Sequence, residues 1–183
     1  LRSGPRVDIL GFQYHIFNQP ENLEQAADDY FNPRHLFRVM DAYSTLQLPM
    51  SVSEITLPGY DDDLQAQLFR NLYRIWFSAQ NMESIIYWNL GDQCAAVSDG
   101  WAEDQYKSGL IRNDFSKKPS YDVIRDLIKK EWQTNLDLDT KEDHVYFKAF
   151  YGEYEISVLH QGRKITRTIH LSKKGFEEFD FRF

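Results

Sequence analysis

The alternation of short apolar runs with helix-like stripes limits the possible folds of this chain more than any other feature. The run Met50-Ser51-Val52-Ser53-Glu54-Ile55-Thr56-Leu57 is short, rich in apolar residues and follows a helix-like segment. It therefore reads as a buried parallel strand that delivers Glu54 at its C-terminal end. About forty residues upstream, Val7-Asp8-Ile9-Leu10-Gly11-Phe12-Gln13-Tyr14-His15 repeats the pattern and ends in Gln13 and His15. About thirty residues downstream, Ser84-Ile85-Ile86-Tyr87-Trp88-Asn89-Leu90-Gly91-Asp92 ends in Trp88, Asn89 and Asp92. Between these runs, Leu36, Val39, Met40, Tyr43 and Leu46 recur at helical spacing, and so do Leu64, Leu68, Leu72, Ile75 and Ala79. Asp61-Asp62-Asp63 places negative charge where the second helix starts, and Pro119 opens a last helix with Tyr121, Ile124, Leu127 and Ile128 inward. The order βαβαβα implies an α/β fold with parallel strands. Three strands cannot close a barrel: a full (β/α)8 domain takes ~250 residues, with its catalytic groups at the C-terminal strand ends.

From about Asp137 the pattern changes to period two. Val145 to Ala149, Tyr154 to Val158, Ile165 to Leu171 and Phe179 to Phe183 alternate, with turn residues at Tyr151-Gly152, Gln161-Gly162 and Lys174-Gly175. A small antiparallel β module of about four strands is expected over 137–183, after an α/β portion over 1–133. Leu1 is not Met, and an expected strand begins almost at once, so the sequence reads as cut from something longer.

Composition excludes several classes. The net charge is −7 and no basic stripe runs along any element, which argues against nucleic acid. No apolar run approaches the ~20 residues that span a bilayer, and the single cysteine, Cys94, excludes an internal disulfide framework. His35, His144, His160 and His170 lack ligand spacing, so neither a metal nor any other cofactor is expected. Aromatic residues make up 15% of the chain and suit either a packed core or ring-stacking surfaces for sugars. Trp88 fits both roles.

In order and spacing, these motifs resemble the last three barrel strands of glycoside hydrolase family 10, whose members are mostly endo-1,4-β-xylanases. Gly11-Phe12-Gln13-Tyr14-His15 is similar to that family's Gly-x-Gln-x-His strand, and Ser53-Glu54-Ile55 to the Thr-Glu-Leu around its nucleophile. Trp88-Asn89-Leu90-Gly91-Asp92 resembles its Trp-Gly-x-x-Asp, and Gly109-Leu110 through Lys118-Pro119-Ser120-Tyr121 resembles the segment that precedes the final helix. The likeness runs over roughly residues 7 to 130. It implies the C-terminal portion of a TIM (β/α)8 barrel, about three βα units, followed by the β module.

The resemblance also implies retaining hydrolysis of internal β-1,4 bonds in xylan. Such an enzyme needs two carboxyl groups about 5–5.5 Å apart. Glu54 is the expected nucleophile, and His15, one strand over, the group that holds its orientation and charge. Gln13 is expected to bond the glutamate or a sugar hydroxyl, Trp88 to stack on a pyranose ring, Asn89 to reach the sugar or narrow the site, and Trp101 to stack at the rim. Three positions depart from the family. Thr56 stands where an Asp is usual, and a hydroxyl does not supply the negative charge that would polarise His15. Asn89 replaces a Gly, and Cys94-Ala95-Ala96 replaces a second Trp. The family's acid/base Asn-Glu pair has no counterpart, so the chain is expected to be inactive alone, its partners being a xylan-like polysaccharide and the missing part of the barrel. A location outside the cytoplasm follows from the polymeric substrate. Two alternatives remain: a non-catalytic carbohydrate-binding or interaction protein that uses Tyr146, Tyr151 or Tyr154, and a glycosidase acting on another β-glycan.

Overall fold

In the computed structural model, residues 4, 6–18, 30–95, 97–98, 101–172 and 175–183 are described, apart from the side chains of 97, 98 and 101. They form two compact units, Leu1–Leu127 and Ile128–Phe183.

In the first unit, strands β1 (Leu10–His15), β2 (Met50–Thr56) and β3 (Met82–Ile85) lie side by side in that order, all parallel. Helices α1 (Pro33–Ser44) and α2 (Asp62–Phe77) make the crossovers. Asn32 caps α1 through its side-chain oxygen, with Pro33 at the first helical position. Asp61 caps α2 by accepting from the amides of Asp63 and Leu64. The sheet is open and contains no closed barrel among the described residues.

Register sets which side chains share a face. Phe12 is level with Val52, but the next pair is Gln13 with Glu54, so Ser53 is an extra residue bulged out of β2. Its hydroxyl donates to the Phe12 carbonyl at 3.0 Å. The bulge offsets the period-two alternation by one residue. As a result, Leu10, Phe12, Tyr14, Met50, Val52 and Ile55 share one face, and Gly11, Gln13, His15, Ser51, Glu54 and Thr56 share the other. The first face is apolar and carries the helices: Phe12 meets Tyr43 of α1 at a ring distance of 4.9 Å, and Tyr14 meets Trp76 of α2 at 5.1 Å. The second face is polar. The run expected from sequence as a buried parallel strand is thus two-faced.

The helical stripes differ in part from the spacing argument. Leu36, Met40, Leu72 and Ile75 are buried as expected, while Leu64 is exposed and its neighbour Gln65 is fully buried. The Gln65 amide brackets three segments: it donates to the carbonyls of Leu57 (3.0 Å) and Ser108 (3.4 Å) and accepts from the Ser120 hydroxyl (3.0 Å). A fully bonded amide costs little to bury, so it takes the place next to the sheet. Tyr43 is largely exposed; Leu46 lies past the end of α1 and is also exposed. Helix α3 (Pro119–Asp126) runs on into a π-turn over Leu127–Glu131, which buries Leu127 and leaves Ile128 exposed.

β3 stops at Ile85, shorter than the expected run, but amide bonds from Ile86 to Val52 (2.8 Å) and from Trp88 to Ile55 (2.9 Å) carry the chain on beside β2. Two two-residue strands follow, β4 (Val97–Ser98) and β5 (Trp101–Ala102), then a 3-10 turn over Glu103–Tyr106. A buried ion pair ties this stretch down. Asp92 accepts from the Lys118 ammonium and from the Gly109 amide, both at 2.9 Å, and Lys118 also donates to the Lys107 carbonyl at 2.6 Å. A Cβ on Gly109 would lie 2.3 Å from the Asp92 nitrogen, so only glycine permits this approach.

The second unit contains one hairpin, β6 (Gly152–His160) and β7 (Arg163–Leu171), joined at Gln161-Gly162. Both turn residues have positive φ, 48° and 78°, as a type I′ turn requires. The expected strands at Val145–Ala149 and Phe179–Phe183 do not form. Side chains rather than a backbone ladder hold these segments: Tyr146 packs near Phe176, Arg167 lies over Phe181, and Arg167 donates to the Asp180 carbonyl. Lys174, in the third turn expected from sequence, lies outside the described residues.

The Lys118 side chain is only 2% exposed, so its removal strands the Asp92 carboxylate. Lys118→Met is expected to lower the free energy of unfolding in urea by about 3–5 kcal/mol. A loss below about 1 kcal/mol would place the pair among solvated surface bridges.

Candidate functional site

The polar face of the sheet brings together three of the six residues expected from sequence, Gln13, His15 and Glu54. Gln13 is level with Glu54, and His15 with Thr56, so all four project from the C-terminal ends of β1 and β2 on the same side. The Gln13 amide donates to Glu54 Oε1 at 2.8 Å, and His15 Nε2 stands 3.4 Å from Glu54 Oε2. Of the two partners expected for Gln13, the structure shows the glutamate. His15 is further fixed by stacking on Phe17, with ring centroids 5.3 Å apart and planes 9° from parallel. The Glu54 and His15 side chains keep partial access to solvent. A carboxylate has about four lone-pair sites, so each Glu54 oxygen keeps capacity for a further partner.

Glu103 is the residue that sequence reasoning missed. It opens the 3-10 turn, is 4% exposed, and its carboxylate accepts from three side chains. Thr56 Oγ1 donates to it at 3.1 Å, Trp88 Nε1 at 3.1 Å and Asn89 Nδ2 at 3.4 Å. On its other side, Thr56 Oγ1 is 2.9 Å from His15 Nδ1. A line of contacts therefore runs Glu54, His15, Thr56, Glu103. Thr56, whose hydroxyl carries no charge, thus links His15 to a carboxyl group on another element. Nothing in the spacing of the sequence pointed to position 103.

Trp88 is 40% exposed, is anchored through its indole nitrogen to Glu103, and its amide bonds the carbonyl of Ile55, the residue after Glu54. Asn89 has φ of 74°, a left-handed backbone that points its amide back to Glu103 rather than outward. Trp101 pairs through its backbone with Ser98, and its side chain lies outside the described residues. Asp92, the last residue of the motif, is taken up by Lys118 and Gly109 and is structural. Among the described residues, no group of three or more His, Cys, Asp or Glu is placed to hold a metal ion. No helix among them is long and apolar enough to cross a membrane.

Beneath the site, the Tyr87 hydroxyl donates to the Ser108 carbonyl, and the ring packs 4.6 Å from Phe69. Burial pushes the Tyr87 phenol far above the ordinary tyrosine range, and burial does the same to Tyr14 and Tyr73.

No protein-family model matches the chain. It is 26% identical over 184 residues to the anti-sigma-I factor RsgI6 of Acetivibrio thermocellus, a match that takes in 94% of this chain and 21% of that protein. Among solved structures, it resembles the Clostridium thermocellum endo-1,4-β-D-xylanase 10B in complex with xylohexaose (TM-score 0.51, 14% identity), over 67% of this chain and 23% of that one. It also resembles the Ruminococcus gnavus β-glucuronidase (TM-score 0.50, 18% identity), over 67% of this chain and 22% of that one. These likenesses concern the fold: an α/β unit matching part of a glycosidase barrel. The chain spans about a fifth of the length of each of these relatives.

The raised tyrosines give a pH prediction. A phenol whose folded pKa lies above its unfolded value contributes stability that is whole below the unfolded value, near pH 10, and is lost as pH rises beyond it. Of the 11 tyrosines, Tyr14, Tyr73 and Tyr87 should remain neutral by ultraviolet titration while exposed phenols ionise. They should then ionise together with unfolding. Ionisation of all 11 near pH 10 in the folded protein would contradict their burial.

Proposed function

We propose that this chain supplies the nucleophile side of a retaining endo-1,4-β-xylanase site. The observation that carries the reading is the Glu54 carboxylate at a strand end, held by Gln13 at 2.8 Å and His15 at 3.4 Å. Glu54 attacks the anomeric carbon of a bound sugar and the leaving oxygen departs with a proton, forming a glycosyl ester. Water then hydrolyses the ester and Glu54 is released as a carboxylate. Gln13 and His15 fix the attacking group against rotation, so less ordering is needed at the moment of reaction. Trp88 offers an apolar platform for a pyranose ring. The acid/base carboxyl is assigned to residues outside this chain, together with the remaining barrel strands. The substrate is a β-1,4-linked polysaccharide, met outside the cytoplasm because a polymer does not enter it.

A second reading is supported by the match to an anti-sigma factor over nearly the whole chain. Here the same residues bind polysaccharide as the recognition part of a regulator and release it uncleaved.

One experiment separates the two readings. The full-length protein containing this chain is assayed for reducing ends released from xylan and from a mixed-linkage β-glucan, alongside affinity electrophoresis on both. The first reading expects cleavage of xylan, lost by on the order of 10⁴-fold or more in Glu54→Gln while retardation by xylan persists. Retardation without cleavage in the unaltered protein supports the regulator. Faster turnover of the glucan moves the substrate, and full activity in Glu54→Gln removes the nucleophile assignment.

A further inference from the structure

We propose that Glu103 is a positioning residue that sets the protonation pattern of His15, and through it the state of Glu54. The inference rests on the reading of Glu54 as an anion facing a sugar. Glu103 has three polar partners, Thr56, Trp88 and Asn89. The indole N–H and the amide NH2 are donors only, so the buried carboxylate is held as an acceptor. That fixes the direction of the Thr56 hydroxyl. It has one proton, which goes to Glu103 Oε1, so it turns a lone pair toward His15 Nδ1 at 2.9 Å. Nδ1 must then be the donor, and the ring cannot take the tautomer with its proton on Nε2 alone.

The consequence falls on the contact with Glu54. A neutral ring protonated only at Nδ1 would direct the Nε2 lone pair at Glu54 Oε2, 3.4 Å away, and two acceptors would face each other. A proton in that contact removes the conflict. While Glu54 is an anion, the proton is carried by Nε2 and the ring is an imidazolium. Two carboxylates then flank the cation: Glu54 directly, and Glu103 across Thr56. In a partly water-excluded site the more distant charge still stabilises it. Glu103 touches neither Glu54 nor, in this reading, the sugar; it acts through Thr56 and His15. The carboxyl group comes from a loop 47 residues along the chain.

The test is a long-range proton–nitrogen correlation spectrum of the histidine rings in nitrogen-15-labelled protein at neutral pH. His15 is identified among the five histidines by the signal absent from His15→Asn. Both ring nitrogens of His15 are expected to carry protons. In Glu103→Gln, the Nδ1 proton is expected to be lost, leaving the neutral Nε2–H ring that still faces Glu54, with the Thr56 hydroxyl turned to donate to Nδ1. In Thr56→Val, the Nδ1 acceptor is gone and the ring is expected as Nε2–H, whereas Thr56→Ser keeps the wild-type pattern. A merely structural Glu103 would leave the ring signals where they are, so an unchanged pattern in Glu103→Gln overturns the proposal. An unprotonated Nδ1 in the unaltered protein overturns it too, without any variant having to fold. The spectrum is read without substrate, so this failure is distinct from retained xylan cleavage in Glu54→Gln, which would remove the nucleophile assignment instead.

Discussion

The one-residue bulge at Ser53 is the constraint on which the rest of the first unit depends. The faces of a strand alternate strictly, so a shift of one residue sends every later side chain to the opposite face. Without the bulge, Gln13 would be level with Ser53, and Glu54 would project into the apolar layer occupied by Phe12, Tyr14 and Trp76. With it, Ile55 enters that layer and Glu54 joins Gln13 and His15. One extra residue thus reconciles two needs: continuous apolar packing beneath the helices, and a cluster of polar groups on the opposite face. A bulge next to a site re-aims side chains in this way, and here the hydroxyl of the bulged residue is bonded to Phe12, which holds the irregularity in place.

The polar cluster depends on a second device, the buried brackets that hold the long segment after β3. Glu103 reaches Thr56 because its loop is tied on both flanks. Upstream, Asp92 is bound to Lys118 and to the Gly109 amide; downstream, the Lys107 and Ser108 carbonyls accept from Lys118 and Gln65. Each bracket is polar and fully bonded, and each joins segments far apart in sequence. An apolar contact would give comparable adhesion without direction, because hydrophobic burial is non-directional. A hydrogen bond to a named carbonyl specifies where the loop sits, which a carboxylate aimed at a hydroxyl 3.1 Å away requires.

How much was legible in the sequence follows from the range of each interaction. The alternation of strands and helices, and the placing of Gln13, His15 and Glu54 at strand ends, follow from periodicity and motif within single elements. Gln65 did not show, because helical spacing favours apolar residues and ranks Leu64 above a buried amide. Glu103 did not show, because its partners are 47, 15 and 14 residues away and no repeat links them. The β module was overcounted for a related reason. Period-two alternation at Val145–Ala149 and Phe179–Phe183 marks segments suited to be strands, but a strand exists only with a hydrogen-bonded neighbour. Only the pair joined by the Gln161-Gly162 turn found one.

The burial of Glu103 bears on what kind of site this is. A groove that only recognises a neutral sugar needs an apolar platform and a few hydroxyl partners, both available from Trp88 and Gln13. A carboxyl group sealed behind Thr56 adds nothing to that recognition. Removing such a group from water costs several kcal/mol, and no Lys or Arg among the described residues forms an ion pair with it. Three neutral donors offset that cost without cancelling the charge, so its field still reaches the nearest titratable ring, His15. An apolar side chain at position 103 would pack the same loop more cheaply. The arrangement couples a buried carboxylate, through Thr56, to the ring that faces Glu54.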